Sequence, residues 1–335
     1  MNEKQNQNKA WLLADSNKTF DYKQHLKTNI KCVICGAKAR TPDLSGVDPT
    51  YGPFQIEICS TCGVYSYDKT PTLDLLNHYY AGESEGRDSA KPGSLTAYLR
   101  NLKLQAYVMK LLAPLITANG GNKDFAKQKI GVLDYGTGDG ILASCFADQP
   151  EVSSVVAIDL PNEAPKIFAD NKKISYSSVE NFNTGSSQEK FDIIILRHVL
   201  EHILDPISLL TQLDKVRAEN GRFIIEVPAG NTPWKNIFGA HYCQLAYPGH
   251  IHLFNHSSLL RIFPDSEVVN VNVPVIGASL GAAIGLNASR IGLTSAFFYP
   301  LQILMDRFIF RKSTALLCIA SQSPVTADKA TDHTS

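Results

Sequence analysis

Four of the seven cysteines in this 335-residue chain stand as two C-x2-C pairs, Cys32 with Cys35 and Cys59 with Cys62, 23 residues apart. Each such turn can aim two thiolates at one ion, and tetrahedral Zn²⁺ accepts four sulfurs. Gly36 and Gly63 directly follow the second cysteine of each pair, where a tight turn can direct backbone N–H groups at sulfur. A module of roughly 40 residues has too small a core to stand without such a staple. The spacing therefore predicts a structural zinc site. A redox role lacks the preceding βαβ strand of a thioredoxin context. The other cysteines (Cys145, Cys243, Cys318) lie in apolar surroundings. An odd total, with a polar N-terminal stretch, predicts reduced thiols and a cytoplasmic location.

A second constellation is VLDYGTGDG at 132–140. An apolar run ends in Asp134 and continues as G-x-G-x-G through Gly136, Thr137, Gly138 and Gly140. Glycines let the backbone turn sharply and approach a ligand, and a following helix offers its N–H groups to an anionic group. The next apolar run ends at Asp159, where an acid can accept both ribose hydroxyls of a nucleoside. A dinucleotide fingerprint would need glycine at 141, and Ile141 stands there. The loop thus departs from NAD-binding spacing. Asp134 suits a ligand with a free amino group. The competing reading of both acids is helix capping.

Histidines supply the third signal, because imidazole moves protons near neutral pH. His198 and His202 lie in RHVLEH, and His241, His250, His252 and His256 lie between 241 and 256. His250 and His252 alternate in GHIHLF, so an extended segment would put both on one face. His250 and His198 are the foremost catalytic candidates. Glu201 reads equally as a charge at a helix N-terminus and as part of a cofactor site. No carboxylate has helical spacing from these histidines, so a second metal site is not predicted.

The elements that must position these residues alternate along the chain. Apolar runs at 130–134, 155–159, 191–196, 222–227, 268–273 and 315–320 read as strands, and helical spacing appears at 95–116, 140–147, 162–170, 206–216 and 257–262. That alternation predicts an α/β, doubly wound, mostly parallel sheet. Its ligands would bind at the carboxyl ends of the strands. The expected division is a polar lead at 1–27 with Trp11 as anchor, a zinc-binding module at 28–81, and a linker at 82–94. A main domain at 95–321 and a disordered tail at 322–335 complete it. Residues 41–55, rich in Gly, Pro and Asp, read as turns. The apolar stretch 271–305, within an insertion at about 274–312, reads as buried helices. It reads alternatively as an apolar cover for a lipid-linked substrate at the inner membrane surface, helped by Arg307, Arg311 and Lys312.

The runs VLDYGTGDG, FDIIILRHVLEHILDP (191–206) and GRFIIEVP (221–228), with Asp159, resemble the class I S-adenosylmethionine-dependent methyltransferases. The upstream CVICG…ICSTCGVYSYDK resembles the zinc-ribbon-like module of a subset that modifies saccharides and other secondary metabolites. The resemblance implies a seven-stranded Rossmann-like sheet and S-adenosylmethionine as cofactor. It implies that Asp134, Gly136, Thr137 and Gly138 hold the methionine part. Asp159 with Leu160 would hold the ribose, and Ser178 with Val179 would meet adenine, with Glu180 as a neighbouring acid. Arg197 and His198 would border methionine and acceptor. The expected reaction is methyl transfer to oxygen or carbon of a small polar acceptor, a sugar, glycan or sugar-containing or other secondary metabolite. Lys plus Arg equals Asp plus Glu, 32 each, so the bulk charge does not suit the rival reading of an RNA methyltransferase. The other rival is a non-catalytic cofactor-binding scaffold. Oligomeric state is not encoded in any of these signals.

Overall fold

Alternating apolar and polar residues before 72 give short strands, and the longer apolar runs beyond 130 give buried ones. The computed structural model describes residues 21–48, 50–86, 95–118, 130–182, 184, 189–284, 288–310 and 312–325. Residues 1–20 of the expected lead with Trp11, the linker residues 87–94, Arg311 and the tail from 326 lie outside the described residues, while residues 21–27 of the lead form a 3-10 turn at Tyr22–His25 and begin the first strand.

Five strands come first: β1 (Leu26–Thr28), β2 (Arg40–Asp48), β3 (Gly52–Cys59), β4 (Tyr65–Tyr67) and β5 (Lys69–Pro71). Helix α1 (Leu73–Gly86) follows, so the linker expected from 82 begins as helix. Next come α2 (Leu95–Ala118), β6 (Ile130–Tyr135), α3 (Ile141–Ala147), β7 (Val152–Asp159), β8 (Ile174–Ser178), β9 (Phe191–Arg197), α4 (Pro206–Asp214) and β10 (Arg217–Pro228). The chain ends through α5 (Pro233–Phe238), β11 (His252–Leu253), α6 (His256–Ile262), β12 (Glu267–Val271), α7 (Ile276–Ala283), α8 (Ala288–Met305) and β13 (Ala315–Ala320).

Seven strands form one sheet in the order β8-β7-β6-β9-β10-β13-β12. Pairs β6–β7, β6–β9 and β7–β8 are parallel, whereas β12 and β13 are antiparallel. This is the doubly wound, mostly parallel sheet that the alternation predicted. Ile193, Ile194, Ile195 and Leu196 are fully buried, as a parallel strand covered on both faces requires. By internal contacts the chain divides into two compact units, 83–197 with 212–224, and 2–82 with 198–211 and 225–335.

Two expectations are corrected. Residues 41–55 are not a succession of turns: β2 and β3 pair antiparallel, and the four-stranded sheet runs β11-β4-β3-β2. The turn chemistry is confined to Asp48, whose carboxylate accepts from the backbone N–H of Thr50 and Tyr51, each at 2.8 Å. Pro42 is tolerated because the register shifts between Pro42 and Leu44, and an irregularity needs no ladder donor. The helix expected over 162–170 shrinks to a 3-10 turn at Lys166–Phe168. Pro165 directly before it has no N–H to continue a helix, and Pro161 restricts the entry.

In the second unit an apolar cluster joins Phe54 and Ile56 of β3, Tyr65 and Tyr67 of β4, Trp234 of α5 and Val275 before α7. Lys235 is 2% exposed; its ammonium meets the Asp43 carboxylate and lies 3.9 Å from the Tyr65 ring centroid. Ile276 and Ser279 of α7 are buried, as first read, but the described part of α8 and the turn after it leave apolar side chains exposed. Gln302 is fully buried and bonds Val273 and Val275, but Phe297 is 78% exposed and Leu304, Phe308 and Ile309 are also exposed. Among the described residues no helix is long and apolar enough to cross a membrane.

Candidate functional site

Strand β6 delivers Asp134, 1% exposed, to a loop whose glycines all take positive φ: Gly136 +82°, Gly138 +58° and Gly140 +78°. Residues with a Cβ rarely adopt that region. The Gly136 and Thr137 N–H groups both donate to Ile158 O, at 2.7 and 2.9 Å, which ties the loop to β7. A Cβ on Gly140 would stand 2.6 Å from the Phe168 ring, whereas one on Gly138 would meet nothing within 4 Å. Gly140 is thus required by packing, while Gly138 lines open space.

Asp134 and Asp159 belong to neighbouring strand ends of this unit. The Thr137 hydroxyl donates to the Asp134 carboxylate at 2.8 Å. Burial raises the Asp134 carboxyl to about 6; the Thr137 hydroxyl opposes this and the Asp159 charge adds to it. Asp159 accepts from the Gly138 N–H at 2.5 Å and the Leu160 N–H at 2.7 Å. The acid therefore holds the loop that it borders. Ser178 pairs with Asp159 across β7 and β8, and Val179 N–H donates to Asp159 O at 2.8 Å. Ser178 is 3% exposed and its hydroxyl accepts from the Asn181 amide, while Glu180 is exposed. Arg197 ends β9, its guanidinium 5.9 Å from the Tyr107 ring centroid. The carboxyl ends of four parallel strands thus gather Asp134, Gly136, Thr137, Gly138, Asp159, Leu160, Ser178, Val179 and Arg197 in the first unit.

The four cysteines lie together in the second unit. Cys32 and Cys62 Sγ are 3.6 Å apart, Cys35 and Cys59 Sγ 3.5 Å, and all four sulfurs fall within 4.8 Å of one another. Sulfurs around tetrahedral zinc, with Zn–S near 2.3 Å, would stand ~3.8 Å apart, so the set fits such an ion. Gly36 and Gly63 have φ of +73° and +76°. Their N–H groups donate to Cys32 O and Cys59 O at 2.8 and 2.9 Å, closing the two turns.

The same unit gathers histidines and acids. His198 is a non-glycine residue at φ +54°, and its backbone N–H donates to Glu226 O at 2.8 Å. Its ring lies between two buried carboxylates, with Nδ1 3.4 Å from Glu201 and Nε2 3.3 Å from Glu226. Burial works against the charged ring, but the two carboxylates outweigh it and raise the imidazole to about 9. His198 therefore holds its proton at neutral pH. His202 Nε2 is 4.0 Å from Glu201, and the His202 and His250 ring centroids are 4.6 Å apart. Burial, with His202 nearby, lowers His250 to about 4.

His250 and His252 do not share a destination. His250 Nδ1 meets Gln244 O at 2.7 Å, and His252, in β11, meets the Ser66 hydroxyl at 2.9 Å. A turn, with Ala246 at φ +39° and Ala246 O accepting from the His250 N–H, leads into this segment. His241 is exposed and His256 opens α6. Sequence reasoning missed Glu226, which stands within an ordinary strand run, RFIIEV. Only an acid in an otherwise apolar buried strand marked it.

Residues 101–271, just over half of the chain, match the family described as a methyltransferase domain, and the chain belongs to that family. Its fold is the class I form that the sequence resemblance implied. The ubiquinone biosynthesis O-methyltransferase of Histophilus somni is 35% identical over 27% of this chain and 41% of its own length. That of Actinobacillus pleuropneumoniae is 31% identical over 29% and 47%. The chain thus spans less than half the length of these curated relatives. The YcgJ protein of Bacillus subtilis, at 17% identity and a TM-score of 0.40, covers 64% of this chain and 97% of its own.

The two glycines should separate in mutagenesis. Gly140→Ala adds a ring clash to a left-handed backbone cost of roughly 1–2 kcal/mol, so its melting temperature should fall further than that of Gly138→Ala. Thermal denaturation of both variants checks this; equal losses would remove the distinction between packing and open loop.

Proposed function

We propose that the chain transfers the methyl group of S-adenosylmethionine to a hydroxyl of a small-molecule acceptor. One observation carries the reading: the open glycine loop lies beside a buried acid, Asp134, and a half-buried acid, Asp159, on adjoining strand ends. The residues fit the cofactor. Asp134 would take the ammonium of its methionine part, Gly136 to Gly138 would let that part approach, and Asp159 with Leu160 would take the ribose. Ser178 and Val179 would border adenine, and Arg197 the methionine.

The bound cofactor supplies an electrophile already activated by its sulfonium charge. The protein must then orient the acceptor and exclude water, and a hydroxyl acceptor must also lose a proton. The chain passes directly from Arg197 into His198, and we assign the acceptor's proton to the cluster that begins there. His198 contributes a fixed positive charge between Glu201 and Glu226. His250, tied through Nδ1, contributes an unprotonated Nε2. A sugar or sugar-containing hydroxyl is the leading acceptor class, because polar groups dominate this cluster. The exposed apolar residues of α8 favour a second reading, a hydroxyl acceptor with a lipid tail presented at a membrane surface. The ubiquinone-pathway names of the relatives agree with that class. The four cysteines hold one structural Zn²⁺, and neither reading involves nucleic acid.

Incubation with isotopically methyl-labelled cofactor and a metabolite extract, followed by mass spectrometry, should yield a labelled small molecule. Failure to bind S-adenosylmethionine or S-adenosylhomocysteine in calorimetry would overturn the proposal.

Asp134 makes that binding pH-dependent. Its carboxylate is ionised above about 6 and neutral below, so attraction for the ammonium is present at pH 7.5 and lost as pH falls. Affinity should drop about tenfold at pH 5 if only the ionised form binds. Asp134→Asn should bind weakly with a flattened profile, and an unchanged slope would exclude Asp134 as its source.

Zinc analysis should find one ion per chain in the cysteine module. Cys59→Ser should lose it and lower the melting temperature, since a structural metal contributes directly to folding. Full stability after metal loss would refute that role.

A further inference from the structure

We propose that Glu201, His202 and His250 form a second metal site, for a divalent first-row ion of the zinc, iron(II) or manganese(II) kind. Glu201 is fully buried, and neither of its carboxylate oxygens has a hydrogen-bond partner among the described residues. Its ion-pair neighbour His198, with Nδ1 at 3.4 Å, is shared with Glu226. The His198 ring is thus divided between two buried carboxylates, and neither Glu201 oxygen has it as a full partner. A buried charge without full compensation is costly, and a cation beside Glu201 would remove that cost.

The two histidines are set as ligands require. His202 Nδ1 lies 3.0 Å from Gly249 O and 2.7 Å from the Tyr80 hydroxyl. His250 Nδ1 lies 2.7 Å from Gln244 O. A carbonyl oxygen can only accept, so in each ring Nδ1 carries the proton and Nε2 keeps its lone pair. Metal-bound histidine characteristically donates its second ring N–H to a carbonyl or carboxylate, which fixes tautomer and orientation. Here both rings do so. One donor atom from each of Glu201, His202 and His250 falls within 4.8 Å of the others. Ligands at about 2.1 Å from one ion stand at most ~4.2 Å apart, so a shift of about half an ångström closes the set. Two imidazoles and one carboxylate leave further coordination positions open, the donor set of iron(II) and zinc centres. With His250 Nε2 held by the ion, a hydroxyl bound there would lose its proton more readily to water, not to that nitrogen. That consequence rests on the methyl-transfer reading; the binding of the ion does not.

The test uses full-length protein, free of S-adenosylmethionine and acceptor, whose four cysteines already hold zinc. Titration calorimetry with further ZnCl2 should show one additional ion per chain. In ¹⁵N spectra of the unaltered protein the Nε2 signals of His202 and His250 should both shift with that ion, while that of His241 stays. Glu201→Gln should weaken the second ion at least tenfold and leave the first in place. The proposal is overturned if no second ion binds, if its binding leaves His202 and His250 unshifted, or if Glu201→Gln, retaining its first zinc, binds the second as the parent does. The ¹⁵N measurement needs no variant, so a Glu201→Gln protein that fails to fold still leaves a deciding result.

Discussion

Three left-handed backbone positions within five residues are the constraint on which the first unit depends. Gly136, Gly138 and Gly140 each adopt a φ that costs an L-residue roughly 1–2 kcal/mol. Side chains at all three would cost several kcal/mol, against a usual total stability of about 5–15 kcal/mol. The conformation yields more than a tight turn. It presents the N–H groups of Gly136 and Thr137 to Ile158 O and that of Gly138 to Asp159. The loop after β6 and the end of β7 are therefore one hydrogen-bonded structure, and the two carboxylates cannot move apart without breaking it. Residues at the end of β8 join through Val179 and Asp159. Glycine is needed at 138 for its backbone conformation alone, and at 140 also because a side chain there would meet the Phe168 ring.

The second unit is organised around buried charge instead. Glu201 and Glu226 are 0% and 2% exposed, a placement that ionised carboxylates rarely take without partners. The backbone holds them there. Ile251 N–H donates to Glu201 O at 2.7 Å, and His198 N–H donates to Glu226 O. His198 itself is held at φ +54°, a conformation that costs a histidine about 1–3 kcal/mol and persists only where surrounding bonds over-determine it. The left-handed backbone and the half-exposed ring, set between two buried carboxylates, thus coincide at one residue.

Much of the first unit was legible because its signals are local. Three apolar runs, the acids that end two of them and the glycine spacing lie within short windows, and a parallel strand buried on both faces writes itself as a continuous run such as IIIL. Strand β8 was not legible: ISYSS is polar and half buried, and only its pairing with β7 makes it a strand. The β2–β3 hairpin was hidden by Pro42, Gly46 and Gly52, whose turn-forming tendency is overridden by cross-strand pairing. The histidines show the limit most clearly. Alternation grouped His250 with His252, but it could not tell that their Nδ1 atoms meet different partners, Gln244 O and the Ser66 hydroxyl. Spacing along the chain linked no carboxylate to His250, because Glu201, adjacent to His202, is brought to it by tertiary folding. Glu226 had only its anomalous place in an apolar run to announce it.

That tertiary placement has a physical source in the cysteine module. The segment carrying His250 is fastened at several points of the second unit. Gly249 O receives the His202 ring, Ile251 N–H bonds Glu201 O, and His252 bonds Ser66 where β11 pairs with β4. Asn255 then donates to Gly63 O at 2.7 Å, directly behind Cys62. A Cβ on Gly63 would come within 2.6 Å of the Asn255 amide, so the knuckle glycine also makes room for this clasp. A seven-residue stretch of loop and two-residue strand has little core of its own, and loops are mobile unless their backbone groups are engaged. Here the four-sulfur knuckle and the β3–β4 edge provide the rigid frame, and the imidazoles inherit its precision. The small cysteine module thus does structural work for the histidine cluster rather than forming a separate appendage, which explains why it clusters with the C-terminal part of the chain instead of with the sequence that follows it.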